Sequence, residues 1–356
     1  MGFMDGLGNV VIEPQFHQNR SVMGRYFSDA GYAIVVRHGE RQKIVIDESG
    51  ETVLEIPEEY QVGPFTRPDE NGIFQATRLI DGDNAALWEL VGRDIIFTGE
   101  TRYYAMRLDG SVAFRAYFTS SCHGRYVFHE GSQWKGKKGL MDQHGEIILP
   151  AIYDHISLSP TDPFATVVRE GRVNVVTLEG TPVFKQEFEV QGEGIQSAVQ
   201  DGFWIVRNAA KDRADVYDIA SAEVIGTLPL TYWSPSIPKA CPSLSGGVAS
   251  ITHPRKGTAY YRPNGKPAMP GILGRPRWFS PEMRTGYFHD GRASFKLGDL
   301  WGYLDLSGKH AIAPQFGSDL PFRDGLAKVR YPADGNAWHR FSYVDRDGAV
   351  VWHQEE

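Results

Sequence analysis

The residues of this sequence that could bind a metal or act as nucleophiles are scattered rather than grouped. Eleven histidines occur along the 356-residue chain, and none falls in HExxH or another metal-binding spacing. The two cysteines, Cys122 and Cys241, form no CxxC pair, which argues against a zinc site and a disulfide framework. Cys122 adjoins His123, but neighbouring residues of a strand point to opposite faces. The sequence therefore predicts no metal site and no cofactor.

The carboxylates are numerous but show no catalytic arrangement. The segments DRDG (345–348) and DGDN (81–84) are similar to the start of calcium loops, yet the twelve-residue ligand series with its final glutamate is missing. A glycosidase needs two facing carboxylates, and nothing marks such a pair among 44 acidic residues. Phosphate-binding glycine loops and a GxSxG elbow are also missing. We predict no catalytic residue and a protein that is not an enzyme, with a glycosidase as the less favoured alternative.

The charge of the chain bears on the kind of partner it could bind. The formal net charge is −7, whereas binding of nucleic acid requires a basic surface. The sequence shows neither a signal peptide nor an apolar run long enough to span a membrane. We therefore expect a cytoplasmic protein that binds neither nucleic acid nor membrane, and an acidic surface suited to a partner with a basic patch.

Many of the aspartates of the chain lie at the turns of repeated β-hairpins. Residues 301–316 read WGYLDLSGKHAIAPQF, residues 1–16 read MGFMDGLGNVVIEPQF, and residues 138–153 read KGLMDQHGEIILPAIY. In each copy a short strand ends in aspartate, two residues and a glycine turn the chain, and a second strand returns. Further copies lie at 44–60 and 342–352, and weaker ones lie at 87–97, 175–184, 216–225 and 260–269.

A second repeated element lies between the hairpins. It is a strand usually entered through glycine, as in GYAIVVR (31–37) and GRASFKL (291–297), and its third residue is often alanine. Three or more strands per repeat without helical periodicity predict an all-β fold. We expect a tandem antiparallel β-repeat that is propeller-like, with about eight small sheets, and an open superhelical stack is the alternative. The chain is interpreted as one domain, 1–356, with an insertion near 98–123 that contains an extra hairpin-like stretch.

These hairpins resemble the WG (KWG) repeat of bacterial β-repeat proteins. The resemblance is close at 301–331, good at 136–153 and at 1–16, and faint at 87–97 and 216–225. It implies a propeller or solenoid that serves as a binding surface. No catalytic signature belongs to the repeat, so the resemblance assigns no catalytic residue.

The connectors of the irregular repeats hold the predicted partner-binding residues. Trp233 lies in TYWSPSIP, and Arg275, Arg277 and Trp278 lie in RPRWFSPEM. Exposed tryptophan and arginine side chains are common anchors of protein interfaces, although packing between repeats explains these tryptophans equally simply. The predicted function is a non-enzymatic protein-binding module, in its specific form one that neutralises a basic bacterial toxin domain as an immunity protein does. The alternative is a propeller that binds carbohydrate or another small ligand.

Overall fold

A computed structural model of the chain shows only β-strands as regular elements, and it describes the following residues: 2–5, 9–17, 27–63, 66–79, 89–91, 94–96, 101–130, 136–189, 198–208, 213–230, 244–253, 257–269, 287–318, 320–332 and 341–353. Across these residues no helix is long and apolar enough to cross a membrane. The chain divides into two compact units. Unit 1 comprises 1–4, 10–158 and 178–180, and unit 2 comprises 5–9, 159–177 and 181–356.

The strands of unit 1 pair as antiparallel sheets β1–β2, β3–β4–β5, β6–β9–β10, β7–β8 and β11–β12–β13–β14. Their bounds are β1 (Phe3–Met4), β2 (Val10–Ile12), β3 (Tyr32–Val36), β4 (Lys43–Asp47), β5 (Thr52–Glu55), β6 (Phe74–Leu79), β7 (Glu89–Val91), β8 (Asp94–Ile96), β9 (Thr101–Met106), β10 (Val112–Phe114), β11 (Phe118–Cys122), β12 (Arg125–Glu130), β13 (Lys137–Asp142), β14 (Ile147–Tyr153) and β15 (His155–Leu158).

The strands of unit 2 pair in the same way, as β16–β17–β18, β19–β20–β21, β22–β23–β24, β25–β26–β27 and β28–β29–β30. Their bounds are β16 (Phe164–Arg169), β17 (Arg172–Thr177), β18 (Phe188–Glu189), β19 (Phe203–Asn208), β20 (Arg213–Asp218), β21 (Glu223–Pro229), β22 (Leu244–Ser245), β23 (Val248–His253), β24 (Gly257–Tyr261), β25 (Ala293–Leu297), β26 (Leu300–Leu304), β27 (His310–Phe316), β28 (Ala327–Val329), β29 (Ser342–Val344) and β30 (Val350–His353).

The hairpin at the centre of each repeat turns as the sequence predicts. After β4 the Asp47 N–H donates to the Glu51 carbonyl (3.1 Å) and the Gly50 N–H donates to the Asp47 carbonyl (3.0 Å). Gly50 has φ +87°, a conformation that side-chain-bearing residues rarely adopt. The same two backbone hydrogen bonds recur in the turns that begin at Arg107, Asp142, Arg262, Asp305 and Asp345.

In several repeats the strand that precedes the hairpin is entered through a two-residue turn. Between β11 and β12 both turn residues, His123 (φ 52°) and Gly124 (φ 66°), have positive φ. Such type I′ turns match the twist of the strands they join, and they favour glycine at the second position. The prediction of glycine-entered strands is therefore confirmed in this repeat, and the pairs 201–202, 290–291 and 324–325 repeat the conformation.

Several strands are buried on both faces, which is why they read as continuous apolar runs. In β3 the side chains of Ala33 and Val35 pack with Ile12, whereas the intervening Ile34 packs with Phe74 of another sheet. Since successive side chains point to opposite faces, one strand contributes to two cores. Unit 2 repeats this pattern, with the alanines of its glycine-entered strands, such as Ala249 and Ala293, fully buried.

The turn glycines lie against the preceding repeat. A Cβ built on Gly50 would lie 3.2 Å from the Ile12 side chain, and one on Gly308 would lie 3.1 Å from Met269. Each turn therefore packs on the last strand of the repeat before it, so that neighbouring repeats stabilise one another. The same relation joins Gly110 to Leu54, Gly145 to Phe114, Gly180 to Leu149, Gly265 to Thr227 and Gly348 to Ile312.

The glycine of the WG pair accommodates a bulge in the opposite strand. Trp301 pairs with Phe316 and Tyr303 with Ile312, so residues 313–315 lie opposite Gly302 alone. A Cβ on Gly302 would lie 2.6 Å from the Ile312 carbonyl oxygen, closer than any side chain allows. Bulges on edge strands tolerate proline, which lacks an N–H, and Pro314 lies within this one. Lys138 and Leu140 repeat the arrangement around Gly139, opposite residues 150–152.

Strand pairing locates the extra hairpin of the third repeat differently from the sequence prediction. Strand β6 pairs along its whole length with β9, and β9 pairs with β10, so the hairpin at 103–114 completes this repeat. The hairpin β7–β8, which the sequence assigned to the repeat as 87–97, forms a separate two-stranded sheet. The predicted insertion near 98–123 is therefore corrected, because residues 101–106, 112–114 and 118–122 belong to repeat sheets. The additional segment lies between β6 and β9.

Candidate binding surface

The turn aspartates use their carboxylates to hold the turns. Asp47 Oδ1 accepts hydrogen bonds from the N–H groups of Ser49 (2.9 Å) and Glu51 (3.1 Å). The Ser49 hydroxyl also donates to Asp47, and these hydrogen bonds hold the pKa of the Asp47 carboxyl below its ordinary value. Asp305 has the same contacts and the same direction of shift in pKa. These groups are scaffold carboxylates that stay ionised, which makes them poor general acids.

Two turns vary this pattern without losing the carboxylate. Burial alone would raise the pKa of Asp142, but the N–H groups of Glu146 and His144 outweigh it, so the pKa lies below its usual range. The third repeat has Arg107 at the aspartate position. There Asp109, two residues later, accepts the Ser111 N–H at 2.8 Å.

In several repeats the strand that follows the turn has an exposed β-branched side chain at its start. This strand is the edge of its sheet, and its first residue pairs with the residue just before the turn aspartate. Ile147 is 64% exposed and Val350 is 48% exposed at this position. Scattered apolar residues on a surface are ordinary, but recurrence at one repeat position indicates a shared surface. Val10, Val112 and Val224 complete the set.

In unit 1 these side chains lie next to exposed carboxylates. Val53, the second residue of β5, lies two residues after Glu51, and Ile147 follows Glu146 at the start of β14. Since each turn of unit 1 packs on the preceding edge strand, the repeats present these residues in sequence along one edge. We call this set the edge surface, defined by Glu51, Val53, Asp109, Val112, Glu146 and Ile147.

Two guanidinium groups adjoin the edge surface but do not neutralise it. Arg37 donates to the Thr52 hydroxyl (2.9 Å), and Arg107 donates to the Val112 carbonyl (3.4 Å). The carboxylates of Asp47 and Asp142, in the turns themselves, add to the three in the definition. The edge surface is therefore apolar and acidic, a combination that suits a partner with apolar and basic groups.

The comparison with protein families agrees with the turn and bulge geometry. The model of the "WG containing repeat" matches residues 1–39, 139–172 and 301–331. The chain carries WG repeats. No curated protein matches the sequence.

Solved structures similar to this WG-repeat chain are β-repeat proteins of low sequence identity. A eukaryotic initiation factor shares 11% identity over 97% of this chain and 90% of that chain, with a TM-score of 0.50. BamB from Moraxella catarrhalis shares 10% over 91% and 94% (TM-score 0.42), and the C-terminal WD40 domain of Sif2 shares 12% over 77% and 76% (TM-score 0.35). The fold is all-β and propeller-like, as the sequence predicts, and the similarity to the initiation factor shows the fold alone.

The tryptophan position of the WG repeat is polar in unit 1. Trp301 lies four residues before the turn aspartate and is 1% exposed. The corresponding residues of three consecutive repeats in unit 1 are Lys43, Tyr103 and Lys138, all partly buried. The sequence-based prediction of binding residues does not include this position, although alignment of the turns reveals the difference.

Two of these residues belong to a polar cluster in unit 1, which we call the Tyr–His–Lys cluster. Its members are Tyr103, Tyr117, His129, Lys138 and His155. The rings of Tyr103 and Tyr117 lie 4.7 Å apart between centroids, and those of Tyr117 and His129 lie 5.3 Å apart. His129 pairs with Lys138 across the strands, and Lys138 Nζ lies 3.2 Å from His155 Nδ1. The cluster joins side chains from several strands of unit 1.

Burial sets the protonation states in the Tyr–His–Lys cluster. It lowers the pKa of His129 and of His155, and the neighbouring Lys138 ammonium lowers both further. Burial, then Tyr117, raises the pKa of Tyr103 to about 12. The lowered pKa values of His129 and His155 disfavour protonation of both imidazoles beside the Lys138 ammonium.

The predicted partner-binding residues Trp233, Arg275, Arg277 and Trp278 all lie outside the described residues, so they stay a prediction. Cys241 also lies outside them. Cys122 is a free, half-buried thiol whose pKa is raised, chiefly by burial, which disfavours the reactive thiolate. Within the described part of the chain no group of three or more His, Cys, Asp or Glu side chains could hold a metal ion.

Proposed function

We propose that this WG-repeat chain is a non-enzymatic protein-binding module that uses the edge surface of unit 1 to bind a partner with a basic surface. The observation that carries this proposal is the recurrence of exposed β-branched side chains near exposed carboxylates at the start of the edge strands. Burying such side chains in an interface recovers roughly 25 cal/mol per Å² of apolar area, and the carboxylates favour cationic partners over anionic ones.

The scaffold roles of the turn aspartates support a binding function over a catalytic one. Their Oδ1 atoms accept backbone hydrogen bonds, and their lowered pKa values keep them ionised. The repeated architecture offers a long edge composed of similar elements, which suits recognition of an extended protein surface. In its specific form, the partner is a basic toxin domain that the chain neutralises by covering it.

The test is quantitative co-purification of the full chain from its native host. Ile147→Asp, on the edge surface, is compared with Leu297→Asp, a control in unit 2 whose native side chain has the same 64% exposure. We expect a basic protein to be recovered with the wild type and with Leu297→Asp, and its yield to fall at least about tenfold with Ile147→Asp.

Equal recovery of the partner by both variants would contradict the assignment of the edge surface, and an acidic partner whose recovery is lost with Ile147→Asp would contradict the charge argument. For the toxin form, co-expression with the recovered partner should restore growth to cells that the partner alone inhibits. A partner that inhibits nothing would exclude neutralisation and leave the binding function in place.

A further inference from the structure

A groove of about 410 Å³ lies in unit 2, where residues of three successive repeats meet. Val248 forms part of its base and is buried, whereas Ile225 and Leu306 on its sides are 38% and 46% exposed. Phe203, Pro263 and Ala268 extend the apolar lining. An apolar groove with exposed aliphatic sides is suited to receive an apolar side chain.

Arg262 is the single charged residue in the lining of this groove. It stands where most turns have aspartate, and the turn forms without a carboxylate. Its backbone hydrogen bonds are intact, and Asn264 Oδ1 accepts the Lys266 N–H at 3.1 Å in place of an aspartate. The turn therefore does not need the exposed Arg262 side chain, which places a guanidinium at an apolar groove of an acidic protein.

The groove is open in a way that favours an extended ligand. The turn Gly246–Gly247 borders it, and a Cβ on Gly247 would meet no other atom within 4 Å. The edge strand β21 contributes Ile225, and the turn after β26 contributes Leu306. An extended segment can therefore lie across these elements with its main chain exposed and one side chain inserted.

We propose that this groove binds an acidic peptide segment of a partner protein, with an apolar side chain inserted between Ile225 and Leu306 and an adjacent carboxylate paired with Arg262. We choose an acidic peptide as the ligand because of charge complementarity: a guanidinium binds carboxylates in a directional, two-point geometry. The site differs from the edge surface of unit 1 in its position and in the charge of the ligand it prefers. It is therefore independent of the proposed function.

The experiment uses a phage-displayed library of random nine-residue peptides, selected on the full wild-type chain and counter-selected on the Leu306→Asp variant. The most enriched peptide is then synthesised with a fluorescent label, and its binding is measured by anisotropy. A second version carries lysine in place of its acidic residues. The variants are Arg262→Glu and Leu306→Asp, with Arg330→Glu and Leu297→Asp as controls outside the groove lining.

We expect the enriched peptides to combine an apolar residue with an adjacent acid. Binding should weaken at least about tenfold with Arg262→Glu, and it should be unchanged in both controls. The lysine version should bind Arg262→Glu more tightly than it binds the wild type. A selection without a shared apolar–acidic pattern would overturn the proposal. Peptides that bind Arg262→Glu as well as the wild type would also overturn it.

Discussion

Replacing the glycine of the WG pair with alanine should be costly for a purely steric reason. A Cβ on Gly302 would lie 2.6 Å from the Ile312 carbonyl oxygen and 2.8 Å from Pro314 N, and Gly302 does not have positive φ. The oxygen is at least about 0.8 Å closer than ordinary contact, and both atoms belong to the backbone, so the bulge itself must shift. Forced shifts of this kind cost about 1–3 kcal/mol.

Gly317 provides a matched control in the same repeat. It also lacks positive φ, but a Cβ there would meet its nearest atom at 3.6 Å, an ordinary contact. Gly317→Ala should be neutral or should stabilise the fold by about 0.4–1 kcal/mol through the unfolded state. The two variants should therefore differ by about 1–4 kcal/mol in free energy of unfolding. Urea denaturation followed by tryptophan fluorescence measures this difference, and equal stabilities would refute the steric explanation of the WG glycine.

Two pH-dependent predictions follow from the ionisable groups. The Ser307 hydroxyl and backbone N–H groups lower the Asp305 pKa, so the stability that the carboxylate supplies is present above pH 3.8 and is lost as pH falls through the lowered pKa. Asp305→Ala should therefore be less stable than the wild type at pH 7, and the two should converge in acid denaturation series; a difference that persists at pH 2 would contradict this. Burial, then Lys138, lowers the His129 pKa, so below pH 6.5 the unfolded chain takes up a proton that the folded chain resists. The wild type should lose stability from pH 7 to pH 5, His129→Gln should lose less, and the exposed control His353→Gln should behave as the wild type.

The sequence predicts the repeated parts of this fold well because they depend on local chemistry. The turn that begins at Asp305 follows from the residues of the turn itself, through an acceptor side chain and a glycine with positive φ. The glycine-entered strands are local in the same sense, since a type I′ turn is specified by two residues. The WG-repeat resemblance rests on these local features, and the family model matches three of the segments that carry them.

The third repeat shows where local chemistry is insufficient. The segment 87–97 has the strand–turn–strand pattern and the expected spacing from Gly50, so the sequence predicts that it belongs to the repeat. In the structure β6 pairs with β9 instead, so the segment 87–97 is not part of the repeat sheet. The two paired strands are separated in the sequence by the additional segment. Long-range pairing depends on which edge is free to pair, and a hairpin pattern contains no information about that.

The exposed edge side chains and the groove could not be predicted for a related reason. Val112 and Ile147 lie in alternating apolar patterns that predict burial, but each begins the edge strand of its sheet and is covered on one side only. The charge at the groove depends on Arg262 lying beside residues distant in sequence, such as Leu306. The connectors around Trp233 and Trp278, where the sequence located binding, lie outside the described residues.

The tryptophan position of the repeat accommodates either an apolar indole or a charged ammonium. An indole at Trp301 can be buried among apolar groups. An ammonium at the same position requires an acceptor, because an unpaired buried charge is very costly. The structure supplies that acceptor in the same way twice: Lys43 Nζ donates to the Val62 carbonyl (3.0 Å), and Lys138 Nζ donates to the Asp154 carbonyl (2.8 Å). In both cases the carbonyl belongs to the segment after the edge strand, so the lysine and this connection are adapted to each other within the repeat.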